Sequence, residues 1–117
     1  MPNPVVHFEI AGKDGDKIKK FYSDLFGWEV NSENPMNYGM VDTKAGGING
    51  GIFKAPEDVP FLTFYVRVDN IQEALDKAEK LGGKTVVPPQ DIPGIGSSAF
   101  MKDIDGNIVG LFRELDK

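Results

Sequence analysis

The residues best suited to chemistry are His7 and Glu9, which lie two positions apart in the apolar run Val5–Ile10. That run is typical of a β-strand, in which alternate side chains point to opposite faces, so His7 and Glu9 share one face. His7 is the chain's single histidine, and any imidazole role at neutral pH therefore falls to it. We predict that His7 and Glu9 line a binding pocket. The alternatives are a purely structural hydrogen-bonded histidine and a catalytic group acting together with Glu9.

A second strand, Leu62–Val68, alternates apolar residues with Thr63, Tyr65 and Arg67. If the apolar set packs on a helix, the polar set faces the same concavity as His7 and Glu9. We therefore predict that these three residues contact a ligand. Arg67 is also the expected ion-pair partner of Glu9, in preference to a rearranged metal site built from His7 and carboxylates.

Further large side chains complete the predicted binding surface. Tyr38 and Tyr65 can donate hydrogen bonds to a carbonyl group or simply fill space. A wall for a planar ligand is expected from Phe53, Met101 and Phe112, with core or dimer packing as the alternative. Packing is the preferred interpretation for Trp28. The segment Pro93–Gly96 is interpreted either as a lid or as an ordinary turn.

The elements that must position these residues follow from periodicity. A stripe at helical spacing after the first strand predicts a helix with one buried face, ending at Gly27, and it consists of Ile18, Phe21, Tyr22, Leu25 and Phe26. Strands are predicted at 28–31, 37–42 and 48–54.

The second half begins with the strand Leu62–Val68 and continues with a helix. Asn70 and Glu73 are spaced as a capping box at the start of this helix. Its buried face is predicted to contain Ile71, Ala74, Leu75 and Ala78, and Gly82-Gly83 closes it. Strands are then predicted at 84–87, 97–102 and 108–114.

The two halves repeat one plan. A shift of 56 residues superimposes three pairs of positions: Leu25 on Leu81, Gly27 on Gly83, and Val30 on Val86. The pattern predicts an α+β fold of two tandem βαβββ units, which form curved sheets around a central groove suited to a small molecule. We expect one domain over residues 1–117, with units at about 4–55 and 60–115.

Composition narrows the possible partners. The 117 residues carry a net charge of −5, with 40% hydrophobic and 26% charged residues, so nucleic acid and anionic membranes are poor partners. No apolar run approaches the ~20 residues that cross a bilayer. There is no cysteine, which excludes disulfides and thiolate chemistry. A cytoplasmic protein is the simplest expectation.

The chain resembles the vicinal oxygen chelate superfamily, which includes glyoxalase I, bleomycin-resistance proteins, extradiol dioxygenases and methylmalonyl-CoA epimerase. More closely, it resembles the small bacterial and archaeal proteins described as predicted enzymes related to lactoylglutathione lyase. The resemblance covers nearly the whole chain and is carried by Val5–Ile10, Lys20–Tyr22, Leu25–Trp28, Gly47–Gly51, Leu81–Lys84, Asp103–Asn107 and Val109–Phe112.

The resemblance implies a divalent ion held by one side chain from each of the first, fourth, fifth and eighth strands. His7 falls on the first of these positions, and Gly51 or its neighbour, Thr63 and Gly110 fall on the others. Glycine offers no side-chain ligand, and a threonine hydroxyl is a poor one. We therefore predict no metal and no other cofactor; a divalent ion held partly through His7 is the minority alternative.

Two functions remain open. The first is a metal-free module that binds a small organic molecule in the groove. The second is a lyase or isomerase, metal-dependent as in glyoxalase, acting on a small dicarbonyl or related compound, with His7 and Glu9 as candidate catalytic residues. The resemblance also implies a homodimer.

Overall fold

The computed structural model describes residues 2–115. Within them the strands and helices follow the order βαβββ twice, as predicted, which makes the fold α+β. The elements are β1 (Val5–Gly12), α1 (Gly15–Phe26), β2 (Glu29–Asn31), β3 (Gly39–Asp42), β4 (Gly50–Lys54), β5 (Phe61–Arg67), α2 (Ile71–Lys80), β6 (Lys84–Ile92), β7 (Gly96–Lys102) and β8 (Ile108–Glu114). Neither of these helices is long and apolar enough to cross a membrane.

Backbone contacts divide the chain into two compact units. The N-terminal unit is His7–Thr63, and the C-terminal unit combines Phe64–Lys117 with Met1–Val6. The first residues belong to the C-terminal unit because the backbone N–H of Arg67 donates to the Pro4 carbonyl at 2.9 Å. The Asn3 side-chain amide also donates to the Arg67 carbonyl at 3.1 Å.

The N-terminal unit contains a four-stranded mixed sheet. β1 and β4 are parallel, with Glu9 opposite Gly51, while β3 pairs antiparallel with both β4 and β2. Helix α1 is capped at its N-terminus by Asp14, whose carboxylate accepts from the Lys17 N–H at 3.1 Å. It ends, as predicted, at Gly27, whose φ of 73° is the left-handed conformation that glycine adopts at low cost.

The core between α1 and this sheet is formed by Ile10, Val41 and Ile52, with five partly buried neighbours: Phe8, Ile18, Tyr22, Trp28 and Val30. Trp28 stacks on Tyr22 with ring centroids 5.8 Å apart, so its preferred interpretation as a packing residue agrees with the structure.

The predicted buried stripe of α1 is right at two of its five positions and wrong at three. Ile18 and Tyr22 pack on the core, but Phe21, Leu25 and Phe26 remain 59%, 57% and 56% exposed. The stripe is wider than the surface that the sheet offers. Part of the buried side of α1 is taken instead by Lys19, which is only 7% exposed.

The C-terminal unit repeats the arrangement. β5 and β8 are parallel with Tyr65 opposite Gly110, and β7 pairs antiparallel with β8 and β6. Strand β6 extends to Ile92, five residues beyond the predicted end, because register shifts between Thr85 and Gln90 accommodate the two prolines. Because β6 is an edge strand within residues 2–115, where it pairs with a neighbour on one side only, it tolerates these prolines.

Helix α2 agrees closely with the sequence pattern. The Asn70 side chain accepts from the Glu73 N–H at 3.0 Å, which is half of the predicted capping box. Ile71 and Leu75 form a core with Ala99 and Leu111, and Ala74 packs against it. On the strand leading into α2, Val66 and Val68 pack on this core, whereas Leu62 and Phe64 are exposed.

The segment Pro93–Gly96 forms the turn of the β6–β7 hairpin. The N–H of Ile95 donates to the Ile92 carbonyl at 2.9 Å, and the Ile95 carbonyl accepts from the Leu115 N–H at 2.9 Å. Of the two interpretations of this segment, these bonds describe a turn anchored to the end of β8.

Candidate functional site

His7, Tyr38 and Glu9 form a chain of hydrogen bonds on the face of the N-terminal sheet opposite α1. The Tyr38 hydroxyl donates to Glu9 Oε2 at 2.9 Å and lies 2.9 Å from His7 Nε2. A hydroxyl has one proton, and here it goes to the carboxylate, so its oxygen accepts from His7 Nε2. The arrangement therefore selects the His7 tautomer that is protonated on Nε2.

His7 and Glu9, the two ends of this series of hydrogen bonds, are both affected by burial. Glu9 is only 7% exposed. Burial also lowers the pKa of His7 below its ordinary value of 6.5, because a charged imidazolium loses hydration in this position. The His7 ring is consequently neutral at pH 7. A neutral imidazole with a fixed tautomer is suited to accepting a hydrogen bond or a proton.

The loop between β2 and β3 positions Tyr38 so that its hydroxyl lies between His7 and Glu9. Asn34 holds this loop, because its side-chain oxygen accepts from the N–H groups of Met36 and Tyr38 at 3.2 and 3.0 Å. Its amide nitrogen donates back to the Tyr38 carbonyl at 2.7 Å. Between them, Asn37 adopts a φ of 53°, which asparagine tolerates better than most residues.

Lys19 supports the same loop from α1. Its buried ammonium group donates to the Asn37 carbonyl at 2.7 Å, directly before Tyr38. The sequence analysis did not single out Lys19. One signal was present, since Lys19 precedes Tyr22 by three residues and thus shares the helix face that packs on the sheet.

The ring of Tyr38 lies directly over Gly51. A Cβ atom at Gly51 would overlap the hydroxyl and the adjacent ring carbons of Tyr38. Tyr38 also packs against Phe53, with ring centroids 5.5 Å apart, and Phe53 contacts Phe61 edge to face at 6.0 Å. Gly51 is therefore the residue that makes room for Tyr38.

The C-terminal unit has a similar pair. Gly110 lies opposite Tyr65 in the β5–β8 ladder, and a Cβ at Gly110 would overlap the Tyr65 ring. Tyr65 is 9% exposed and packs on Phe100, with centroids 5.4 Å apart. Thr63 on the same strand is also buried.

These residues do not fit the metal site that the resemblance implies. Two of its four positions are glycines covered by tyrosine rings, the third is a buried threonine, and His7 is the remaining donor. Across residues 2–115, no group of three or more histidine, cysteine, aspartate or glutamate side chains is placed to hold a metal ion.

The other predicted ligand contacts divide between the units. His7, Glu9, Tyr38 and Phe53 come together in the N-terminal unit. Tyr65, Arg67 and Phe112 belong to the C-terminal unit.

Arg67 and Met101 each contact other parts of the protein. Arg67 pairs with Glu114 at 3.2 Å, while Glu9 accepts from Tyr38; the Glu9–Arg67 ion pair and the groove between the halves stay predictions. Met101 packs against the core under α2, on the side of β7 that also carries Ala99. The side chain of β7 that meets Tyr65 is Phe100, which alternation with Ala99 and Met101 would have identified.

A cleft of about 270 Å³ lies beside His7, and most of its lining was not predicted. The residues that line it are His7, Glu29, Asn31, Met40, Val41, Asp42, Asn49 and Gly50. Glu29 pairs with Asp42 and Asn31 with Met40 across the β2–β3 ladder, so these four side chains share one face.

Local hydrogen bonds orient the polar groups of this cleft. Asn31 Oδ1 accepts from the Glu33 N–H at 2.8 Å, and Asn49 Oδ1 accepts from the Thr43 N–H at 3.0 Å. Lys44 forms an ion pair with Glu29 at 2.8 Å, and this bond raises the pKa of Lys44.

A second cleft, of about 350 Å³, lies in the C-terminal unit between Arg67, Val68, Asp69, Arg113 and Glu114. Three of its charged side chains, those of Arg67, Arg113 and Glu114, are engaged with protein partners. Arg67 pairs with Glu114, and Arg113 Nε donates to the Asp69 carbonyl at 2.9 Å. These bonds give the second cleft a structural explanation.

Duplicated βαβββ units with a histidine on the first strand define a class of α+β proteins built by internal repetition. The family model of the glyoxalase/bleomycin resistance protein/dioxygenase superfamily matches residues 5–111. The chain belongs to that superfamily.

Individual relatives agree with this assignment. The chain is 32% identical over 114 residues to the "Putative glyoxylase CFP32" of Mycobacterium tuberculosis; the match covers 90% of this chain and 43% of the relative, so the chain spans less than half of that protein's length. It is 30% identical to a glyoxylase-like domain-containing protein of Didymella fabae, covering 85% of this chain and 84% of the relative.

Solved structures share the fold at low sequence identity. A hypothetical protein from Bacillus halodurans superimposes with a TM-score of 0.75 at 12% identity, covering 100% of this chain and 98% of that one. Methylmalonyl-CoA epimerase from Mycobacterium tuberculosis gives 0.67 at 16% identity, covering 96% and 88% of the two chains. A Mn(II)-bound glyoxalase from Novosphingobium aromaticivorans gives 0.65 at 21% identity, covering 99% and 43%.

Proposed function

We propose that this protein binds a small organic molecule without a divalent metal ion, on the face of the N-terminal sheet that carries His7. The observation that carries the proposal is the position of Tyr38. Its ring covers Gly51, and its hydroxyl joins His7 to the buried Glu9. A hydrogen-bonded side chain thus takes the space in which a side-chain ligand from β4 would lie.

The cleft beside His7 supports binding at this face. It combines polar groups that can orient a ligand with apolar surface from Met40, which is the usual makeup of a small-molecule site. Because His7 both lines this cleft and contacts Tyr38, a ligand in the cleft would lie against the end of the hydrogen-bonded chain.

Elemental analysis and a ligand screen test this proposal together. Purified untagged protein and its His7→Ala variant are analysed for metal content, and both are screened for thermal stabilisation by small molecules. We expect no stoichiometric metal in either and a rise in melting temperature with some ligands, as mass action requires. Near-stoichiometric metal that disappears in His7→Ala would refute the metal-free proposal.

A second candidate is a glyoxalase-like enzyme, a lyase or isomerase acting on a small dicarbonyl or related compound. The name of the mycobacterial relative and the neutral, oriented His7 favour it. Here His7 would be the base or the metal-binding group, with Glu9 acting through Tyr38. Turnover of a dicarbonyl substrate that is lost in His7→Ala and retained in an exposed-surface control, Gln72→Ala, would support this function. Equal turnover by His7→Ala and wild type would exclude it.

We also propose a homodimer, which rests on the resemblance to the superfamily. Light scattering coupled to size-exclusion chromatography measures the mass directly. A mass near twice 12.8 kDa is expected, and a monomer at micromolar concentration would contradict it.

A further inference from the structure

We propose that the cleft beside His7 takes a neutral polyhydroxylated molecule, such as a small sugar or another polyol. This inference rests on the proposed binding function and adds the chemical class of the ligand. It follows from the kinds of hydrogen-bonding groups that the cleft presents.

The two asparagines of the cleft are oriented as donors. The side-chain oxygen of Asn31 accepts from the Glu33 N–H, and that of Asn49 accepts from both the N–H and the hydroxyl of Thr43, at 3.0 and 3.3 Å. With the oxygens engaged in these local turns, the NH₂ groups are the ends that each amide can offer to a ligand. A ligand must therefore supply acceptors.

The carboxylates of the cleft supply acceptors of their own. Glu29 and Asp42 lie directly opposite each other on β2 and β3. The ion pair with Lys44 offsets the charge of Glu29, and one oxygen of Asp42 accepts from the Lys44 N–H at 2.9 Å. A ligand must therefore supply donors as well, but it need not carry a full positive charge.

A hydroxyl group is both donor and acceptor, so a polyol meets both requirements. An ammonium group would satisfy the carboxylates and leave the asparagine N–H groups unmatched. An anion is disfavoured, since the residues lining the cleft include two carboxylates and no lysine or arginine.

The remaining features set the size and shape of the ligand. The cleft volume of about 270 Å³ lies just below the range of typical ligand pockets, ~300–1,000 Å³, and this favours a molecule no larger than a simple sugar. Met40 is 53% exposed and offers an apolar, adaptable surface for the C–H face of a ring.

The test uses defined probes and three isosteric variants. Binding of D-glucose, D-ribose, glycerol, gluconate, glucosamine and indole is measured by saturation-transfer NMR and calorimetry. Asn31→Asp and Asn49→Asp keep the oxygen that closes each local turn and replace the NH₂ donor. Asp42→Asn keeps the oxygen bonded to Lys44 and removes the charge. Asp76→Asn on the exposed side of α2 is the matched control.

We expect at least one neutral polyol to bind, with affinity about tenfold weaker in each cleft variant and unchanged in Asp76→Asn, as loss of a hydrogen bond to a charged or oriented group predicts. Circular dichroism and melting temperature establish that the variants are folded. Gluconate should bind more weakly than glucose.

Three outcomes would overturn the ligand class while leaving the proposed function intact. They are binding of indole without any polyol, polyol binding that the three variants leave unchanged, and salt-dependent binding of glucosamine tighter than that of glucose. If no probe binds and the wider thermal screen also finds no ligand, the proposed function itself fails.

Discussion

In both units a tyrosine ring lies over a glycine, and the two glycines occupy corresponding positions on β4 and β8. The two tyrosines are held in different ways. In the N-terminal unit, Tyr38 comes from a loop and its hydroxyl bonds to His7 and Glu9. In the C-terminal unit, Tyr65 belongs to a strand, lies opposite Gly110 and packs on Phe100.

This difference distinguishes the backbone arrangement, which both units share, from the polar side chains, which differ between them. Both glycines are required by a ring packed on the backbone, and this is a property of the repeat. The loop that supplies Tyr38, the buried Lys19 that supports it and the cleft beside His7 are features of the N-terminal unit. The repeat provides the scaffold, and the N-terminal unit carries the polar groups of the proposed binding site.

The largest effect is expected from truncating the core of either unit. Ile52 and Leu75 are the largest fully buried side chains of the two cores. Ile52→Ala and Leu75→Ala should each lower the free energy of unfolding by about 2–5 kcal/mol, because the lost apolar contacts leave a cavity. Urea denaturation followed by Trp28 fluorescence and by circular dichroism measures this. Non-coincident transitions would show that the units unfold separately.

The next effect concerns the two glycines. Gly51→Ala and Gly110→Ala should each cost about 1–3 kcal/mol, since the added methyl group forces the tyrosine ring to move. Gly47→Ala, where the structure has open space, is the control and should change stability little.

A double-mutant cycle locates the cause at Gly51. In a Tyr38→Ala background, Gly51→Ala should lose most of its cost, because the clashing ring is gone. Additive effects would contradict the packing of Tyr38 on Gly51.

Removing the Tyr38 hydroxyl tests the polar chain without removing the ring. Tyr38→Phe should destabilise the protein by about 1–3 kcal/mol, because the buried Glu9 loses a hydrogen bond. Since His7 is the only histidine, its ¹⁵N resonances report the tautomer directly. We expect Nε2 to carry the proton in wild type and a mixture in the variant; Tyr22→Phe, which keeps its stacking on Trp28, should leave the resonances unchanged.

A smaller effect is expected at Lys19. Lys19→Met keeps the aliphatic stem and removes the bond to the Asn37 carbonyl, at a cost of about 1 kcal/mol. If Lys19 positions Tyr38, the His7 resonances should shift toward those of Tyr38→Phe. Stability that falls while the His7 spectrum stays unchanged would limit Lys19 to a structural role.

The smallest effect is the contribution of His7 to the pH dependence of stability. Its folded pKa lies below the ordinary value of 6.5, so as pH falls below 6.5 the unfolded chain binds the proton first. The free energy of unfolding should therefore decrease from pH 6.5 down to the folded pKa, and His7 should add no further change below it. Urea titrations of wild type and His7→Gln across this range should differ in slope in that direction; equal slopes would refute the shift.

Local patterns predicted much of the fold because their causes are local. The Asn70 cap and the glycine end of α1 follow from neighbouring residues, and the repeat of these local patterns at a shift of 56 residues gave the plan of both units. Strand alternation placed His7 and Glu9 away from the Phe8–Ile10 core face. Helical spacing failed at Phe21 and Leu25 of α1, because the sheet covers only part of the apolar stripe.

The sequence by itself determined the repeated α+β plan and brought His7 and Glu9 to one face, since periodicity encodes which side of an element is apolar. The tertiary structure decided that Tyr38, 31 residues from His7, lies over Gly51 and joins His7 to Glu9. It also decided that Lys19 is buried and that the cleft lies between β2, β3 and β4. Such contacts depend on the path of a loop and on long-range packing, and no spacing along the chain records them.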